Sequence, residues 1–180
     1  MEGHDAFVGT WASAHTSLYR PVPSLTESKS RRKNGVMRIV KAVTIPAPRE
    51  TVWGTFFDLG RWPEWSPWRL HFPGEARFQI GASFQVATPA PGFPFVTLKF
   101  PCRVTELENP QVLCWAGSVL GVPGYHRFVF ESAREGCFLL SEEEFQGRLR
   151  LLLRPVRRII EGRATEFLAR LGEAAVVRAS

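Results

Sequence analysis

Among the side chains of this 180-residue protein that could do acid–base chemistry, one histidine and one glutamate fall where strand alternation places them on one wall. In the segment Tyr125-His126-Arg127-Phe128-Val129-Phe130-Glu131, a period of two puts His126, Phe128 and Phe130 on one face, opposite Arg127, Val129 and Glu131. In the segment that follows, Leu139, Ser141, Glu143, Phe145 and Gly147 share a face, with Leu140, Glu142, Glu144 and Gln146 on the other. Taking the apolar sets as inward brings His126 and Glu143 inside the fold, on strands that a hairpin makes neighbours. A buried imidazole beside a carboxylate has two uses. The carboxylate fixes the tautomer and raises the imidazole pKa, so that the pair serves as general acid and base in a cyclisation or dehydration. Alternatively the two form a satisfied polar pair that anchors the sheet or orients a polar group of a ligand. Either way a buried Glu143 requires a partner, His126 or an arginine such as Arg163.

Other chemistry is excluded or bland. Cys102, Cys114 and Cys137 are widely spaced, form no C-x-x-C pair and have no histidine at ligand spacing, so buried free thiols are expected, with no disulfide framework and no metal site. No phosphate-binding G-x-x-x-x-G-K-[ST], dinucleotide-type G-x-G-x-x-G, H-E-x-x-H or G-x-S-x-G occurs, and no cofactor is expected. A nucleic-acid-reading module is missing, and the strand aromatics alternate inward where an exposed stacking platform would need them outward. The formal net charge of +6 speaks to encounter and solubility. Its densest local source, Arg148, Arg150, Arg154, Arg157, Arg158 and Arg163, fits the solvated face of a helix and is also a candidate peripheral contact with anionic lipid or a site for a ligand carboxylate or phosphate.

The elements that must position His126 and Glu143 follow from local pattern. Residues 1–35, rich in Ser with Pro21 and Pro23 and the run Lys29, Arg31, Arg32 and Lys33, lack an apolar period and read as a disordered basic leader. Residues 36–45 are β-branched and apolar, a first strand stopped by Pro46 and Pro48. Val52, Trp53, Phe56 and Phe57 recur at helical spacing over 49–59, and Gly60 ends that helix. Strands are expected over 76–80, 83–88, 96–107, 112–117, 125–132 and 137–146, joined by turns at Gly81-Ala82, Glu108-Asn109-Pro110 and Ala133-Arg134-Glu135-Gly136. Pro155 marks a helix start or a kink, with 149–153 as a separate turn or helical lead-in, and Ile160, Ala164, Phe167, Leu168, Leu171 and Ala175 line one face of the helix. The plan is α+β: a curved antiparallel meander with one long C-terminal helix laid across it.

The chain holds 14 Phe and 6 Trp against 2 Tyr, large apolar area with little hydrogen bonding, as a thick core or an apolar cavity wall requires. Trp62, Trp65, Trp68, Phe84, Phe95, Phe100 and Trp115 are candidates for that wall and its mouth, joined by Phe128, Phe145, Ala164 and Phe167 as ligand contacts alongside His126 and Glu143. The proline-rich stretch at Pro89, Pro91 and Pro94 is a candidate entrance or a rigid surface loop.

Three segments together resemble the SRPBCC superfamily, which contains START, Bet v 1-like and polyketide cyclase/dehydratase-like proteins. The first is Ile45-Pro46-Ala47-Pro48 through Trp53 with Asp58-Leu59-Gly60-Arg61-Trp62-Pro63-Glu64-Trp65; the second is Gly124-Tyr125-His126-Arg127-Phe128-Val129-Phe130-Glu131; the third is Glu143-Glu144-Phe145-Gln146-Gly147. The resemblance spans one domain over 36–178 and implies a helix-grip fold, a seven-stranded antiparallel sheet wrapped around the C-terminal helix with an apolar cavity between. It implies binding of a small hydrophobic ligand of lipid, polyketide or isoprenoid type. A cofactor-free cyclase or dehydratase using His126 and Glu143 is the alternative, and a protein–protein adaptor using the Trp loop or the basic helix is a third. With no signal-peptide pattern and no apolar run long enough to cross a membrane, the cytoplasm is the expected compartment.

Overall fold

The computed structural model describes residues 36–90 and 93–180; the expected leader over 1–35 lies outside the described residues. Strand β1 (Met37–Ile45) ends at Pro46, and helix α1 (Arg49–Phe57) begins directly after Pro48, whose ring is compatible with the helix entry. A 3-10 turn over Leu59–Arg61 leads into the short helix α2 (Trp62–Trp65). The sheet then runs through β2 (Arg69–His71), β3 (Ser83–Ala90), β4 (Phe93–Glu108), β5 (Val112–Val119), β6 (Val122–Ala133) and β7 (Gly136–Phe145). A 3-10 segment over Arg148–Val156 precedes the long helix α3 (Arg157–Ala179).

The seven strands form one antiparallel sheet in the order β1-β7-β6-β5-β4-β3-β2, a meander closed by the return of β1 to β7. Helix α3 lies against its concave face. This is the helix-grip arrangement, and the alternation read from β6 and β7 holds: His126, Phe128 and Phe130 are buried, as are Leu139, Ser141, Glu143 and Phe145. Two strand expectations change. No strand forms over 76–80; instead Arg69–His71 pairs with β3 as the edge. Strand β4 is longer than expected and takes in Pro94, because a proline is tolerated where a long hairpin projects past its neighbours.

Curvature is written into the sheet by register shifts between Pro89 and Ala90 and between Val104 and Glu106. It also depends on glycines where strands close on one another. A methyl group at Gly117 would come within 2.6 Å of the Pro101 carbonyl oxygen, and one at Gly124 would strike the carbonyl of Glu144.

The interior holds two separate apolar clusters. The larger centres on Phe56, whose ring meets Trp62, Phe78, Trp115, Phe128, Phe130 and Phe167 edge-on or tilted. The smaller one joins Met37, Ile39, Val122, Phe145 and Leu153 at the other end of the sheet, with Val119, Val156 and Ile160 against it. On the convex face Arg127 makes a bidentate pair with Glu106 (2.9 and 3.0 Å), and Arg38 and Tyr125 both bond Glu142. Asp58 and Arg178 (3.1 Å) tie the α1 end to the α3 end.

Phe56→Ala is expected to lower the unfolding free energy by about 3–5 kcal/mol in urea titration, because it opens a void amid rigid rings. Phe95→Ala, at a fully exposed position, is expected to stay within about 0.5 kcal/mol of the unsubstituted protein.

Candidate functional site: an apolar cavity with a buried carboxyl–imidazole pair

Between the two apolar clusters the sheet and α3 leave a cavity of about 340 Å³, at the small end of the volumes that hold single small molecules. Its wall is drawn from both clusters: Trp68, Val86, Phe100, Cys102 and Trp115 on one side, and Val119, Val122, Phe145, Leu153, Val156 and Ile160 on the other. The reason for the gap is residue size. Inward positions near it carry Val86, Thr88, Ala90, Cys102, Gly117 and Gly124, whereas the solid part of the core is filled by Phe and Trp. Small residues on four successive strands, β3 to β6, leave space that no neighbour reaches.

The expected ligand contacts divide accordingly. Phe100, Trp115, His126, Glu143 and Phe145 line the cavity. Trp62, Trp65, Phe84, Phe128 and Phe167 do not; they are packed in the larger cluster, and Ala164 is buried on α3 away from the wall. Phe95 faces solvent completely, because it falls on the outward parity of β4. The three tryptophans of the loop meet different fates. Trp62 is buried and donates its Nε1–H to the Phe56 carbonyl (2.6 Å), Trp65 is buried beside it, and Trp68 reaches the cavity with its ring stacked on Phe167 at 4.2 Å. Val86, Leu98, Val119, Leu120, Val122, Leu153 and Val156 were missed as wall residues. Their signal, small or aliphatic residues at inward positions of an otherwise aromatic core, is present in the sequence but is overshadowed by the aromatics.

His126 and Glu143 stand directly opposite in the β6–β7 register, and Nδ1 of the imidazole lies 3.3 Å from Oε1 of the carboxyl. The other ring nitrogen, Nε2, is 2.8 Å from the Ser141 hydroxyl. The ring is boxed by aromatics: Phe128 stacks on it at 4.0 Å, and Trp68 and Trp115 meet it edge-on at 5.5 and 5.4 Å. Such a dry box disfavours charge on either partner. Burial lowers the His126 pKa to about 3, and burial raises that of Glu143 to about 7. The expected rise of the imidazole pKa is therefore reversed: desolvation outweighs the attraction of the carboxylate, and the titrating group near neutrality is the carboxyl. Arg163, the alternative partner for Glu143, bonds instead to Thr88 Oγ1 (3.2 Å) and to the carbonyl of Pro89, clasping α3 to the end of β3.

A neutral imidazole with a carboxyl facing one nitrogen and a hydroxyl bonded to the other suits either protonation state of its neighbour. With Glu143 ionised, Nδ1–H faces it and Nε2 accepts from Ser141; with Glu143 protonated, the carboxyl proton faces Nδ1 and Nε2–H donates to Ser141. Among the described residues Glu143 pairs with His126 through Oε1, and Glu143 is also part of the cavity wall. Cys102, also on the wall, has its thiol pKa pushed up to about 12 by burial and is a poor nucleophile. Among the described residues no group of His, Cys, Asp and Glu has metal-binding geometry.

Comparison with solved structures places this architecture. The protein is similar to the Zhui aromatase/cyclase of Streptomyces sp. R1128 (15% identity, 81% of this chain and 97% of that one, TM-score 0.66). It is similar to norcoclaurine synthase of Thalictrum flavum (14% identity, 82% and 98%, TM-score 0.63). It also resembles the di-domain ARO/CYC StfQ of the steffimycin biosynthetic pathway (17% identity, TM-score 0.65), covering 84% of this chain and only 54% of that longer one. No family model matches the sequence, and no curated protein does. The fold is that of the SRPBCC, or Bet v 1-like, superfamily.

The linkage between Glu143 and folding has a definite sign. A carboxyl with a folded pKa near 7 holds its proton where the unfolded chain has lost it, so its contribution falls as pH rises from about 4.5 to 7. His126 acts oppositely, favouring the folded state as pH rises from about 3 to 6.5. Glu143→Gln removes the first effect alone. Its stability relative to the unsubstituted protein is expected to climb between pH 4.5 and 7, by up to about 3 kcal/mol for a shift of this size. Urea denaturation across that range measures it; a pH-independent difference would show that Glu143 titrates as an ordinary carboxyl.

Proposed function

We propose that the protein binds one small, largely apolar molecule with a carbonyl or hydroxyl group in the cavity between the two clusters, and that the group is met by Glu143. The observation that carries this reading is the composition of the wall: mostly aliphatic and aromatic, with the carboxyl of Glu143 among a few polar members that include Thr88, His126 and Arg163. Affinity then comes from apolar burial and orientation from the polar contact. The cavity volume favours a compact ring compound of polyketide or isoprenoid type over an extended two-chain lipid. The likeness to structures described as aromatase/cyclases and as norcoclaurine synthase supports a ligand of ring type.

A second reading is favoured by the placing of Glu143 on the cavity wall 3.3 Å from His126, where burial raises its pKa to about 7. A group populated in both forms at neutral pH is suited to proton transfer. In a dehydration of a β-hydroxyketone, the Glu143 carboxylate takes the α-proton, the enolate expels hydroxide, and the carboxyl returns the proton to form water. Atoms and charge balance with the residue regenerated. His126, both of whose nitrogens are engaged, is then a positioning residue that follows the carboxyl through its two states.

The test uses Trp68 and Trp115 as reporters. Titration with 2-naphthol and with a hydroxyanthraquinone is expected to quench their fluorescence saturably, and Val119→Phe, which adds a ring at the cavity wall, is expected to weaken binding about tenfold or more. Glu143→Gln should weaken it only a few-fold. If no compound of this kind binds the folded protein, the ligand reading fails. Where a β-hydroxyketone is turned over, followed by enone absorbance, Glu143→Gln is expected to slow the step by about 10²–10⁴; equal rates would exclude proton transfer by Glu143.

A further inference from the structure

The cavity opens where three chain segments meet, and the rim is apolar on its solvent side as well as within. Phe93 and Leu120 both line the cavity and stand 67% and 65% exposed. Phe95 and Val96 continue the projecting end of β4 and are exposed, and Leu151 and Ile159 are exposed beside the wall residues Leu153 and Ile160. Large exposed side chains scattered singly carry no meaning, but these come from the β3–β4 tip, the β5–β6 turn and the segment entering α3, all of which border one opening.

The charge of the same segments has one sign. Residues 86–100, 117–124 and 148–163 carry Lys99 and six arginines against a single carboxylate, Glu161. Glu161 is itself paired with Arg157 at 2.7 Å. Arg154 and Arg158 are exposed, and among the described residues neither has a carboxylate partner. An apolar rim edged with unneutralised arginines matches the boundary of an anionic bilayer, where rings and aliphatic chains enter the interface while guanidinium groups meet phosphates. An acidic protein would complement the charge, but not a rim whose apolar side chains project from three separate tips around a hole.

We propose that the cavity mouth is a membrane-docking surface: Phe93, Phe95 and Leu120 enter the interface of an anionic bilayer, held there by Arg154 and Arg158. An apolar ligand then passes between lipid and cavity without crossing water. Docking itself needs no ligand and no proton transfer, so it stands or falls independently of the reading of Glu143.

The experiment is co-sedimentation of the full chain with phosphatidylcholine vesicles and with phosphatidylcholine–phosphatidylglycerol vesicles, without added ligand. Binding to the mixed vesicles is expected, weak or absent binding to the neutral ones, and release at high salt. Phe95→Asp, at a position outside the cavity wall, is expected to reduce the bound fraction about tenfold with an unchanged melting temperature, and Arg154→Glu with Arg158→Glu to reduce it similarly. Both variants retain the basic run at residues 29–33, so their loss of binding is assigned to the mouth. Equal binding to neutral and anionic vesicles, or binding unaffected by Phe95→Asp, overturns the proposal. So does an absence of vesicle binding, whether or not gel filtration reveals a dimer that Phe95→Asp dissociates.

Discussion

The seating of α3 in the concave face of the sheet is the contact on which the remaining architecture depends. Phe167 is its pivot: Trp68 stacks on that ring, and Phe56, Trp62, Trp65 and Phe128 surround it. Two chain segments distant in sequence, the tryptophan loop and the final helix, are thereby fixed to the middle of the sheet. Leu171 and Ala175 carry the contact along the helix toward Ile45 and α1. Without it the strands would have no reason to curl, since an antiparallel meander buries its apolar face only when something fills the concavity.

That packing is dense at one end and incomplete at the other, and the incompleteness is the site. The helix meets Phe and Trp around Phe167, whereas nearer its start Ile160 and Arg163 border the cavity. The same asymmetry sets the electrostatics. His126 sits at the boundary, boxed by rings of the dense region, while Glu143 looks into the gap. Desolvation strips charge from the imidazole and pushes the carboxyl toward neutrality, so both groups are held toward their uncharged forms. Ser141 completes the arrangement by offering the second ring nitrogen a hydroxyl able to donate or accept.

The outer surface follows a different logic. On the convex face, Glu106, Glu142 and Glu144 are matched by Arg127, Arg38, Tyr125 and Gln146 in a cross-strand network that gives the exposed side of the central strands a polar cover. At the mouth, among the described residues, Arg157 pairs with Glu161 while Arg154 and Arg158 have no carboxylate partner, and aliphatic and aromatic tips stand beside them. The two surfaces therefore differ in how far their charges are matched.

Much of this was legible from the chain alone. Period-two alternation on β6 and β7 was enough to put His126 and Glu143 on one wall, because side-chain direction along a strand is fixed by backbone geometry and survives in any tertiary context. The helical stripe through Phe167 and Leu171, and the strand order of a meander, are local in the same sense. Which aromatics face a cavity was not local. Phe128 and Phe100 are both inward-facing phenylalanines, yet one is sealed in the core and the other lines the gap, since the outcome depends on the volume of residues facing them from other strands and from α3. The pKa directions were likewise decided by three dimensions. The sequence determines that a carboxyl and an imidazole are neighbours, but whether attraction or desolvation prevails depends on Trp68, Trp115 and Phe128 closing around them, and that enclosure exists only in the folded molecule.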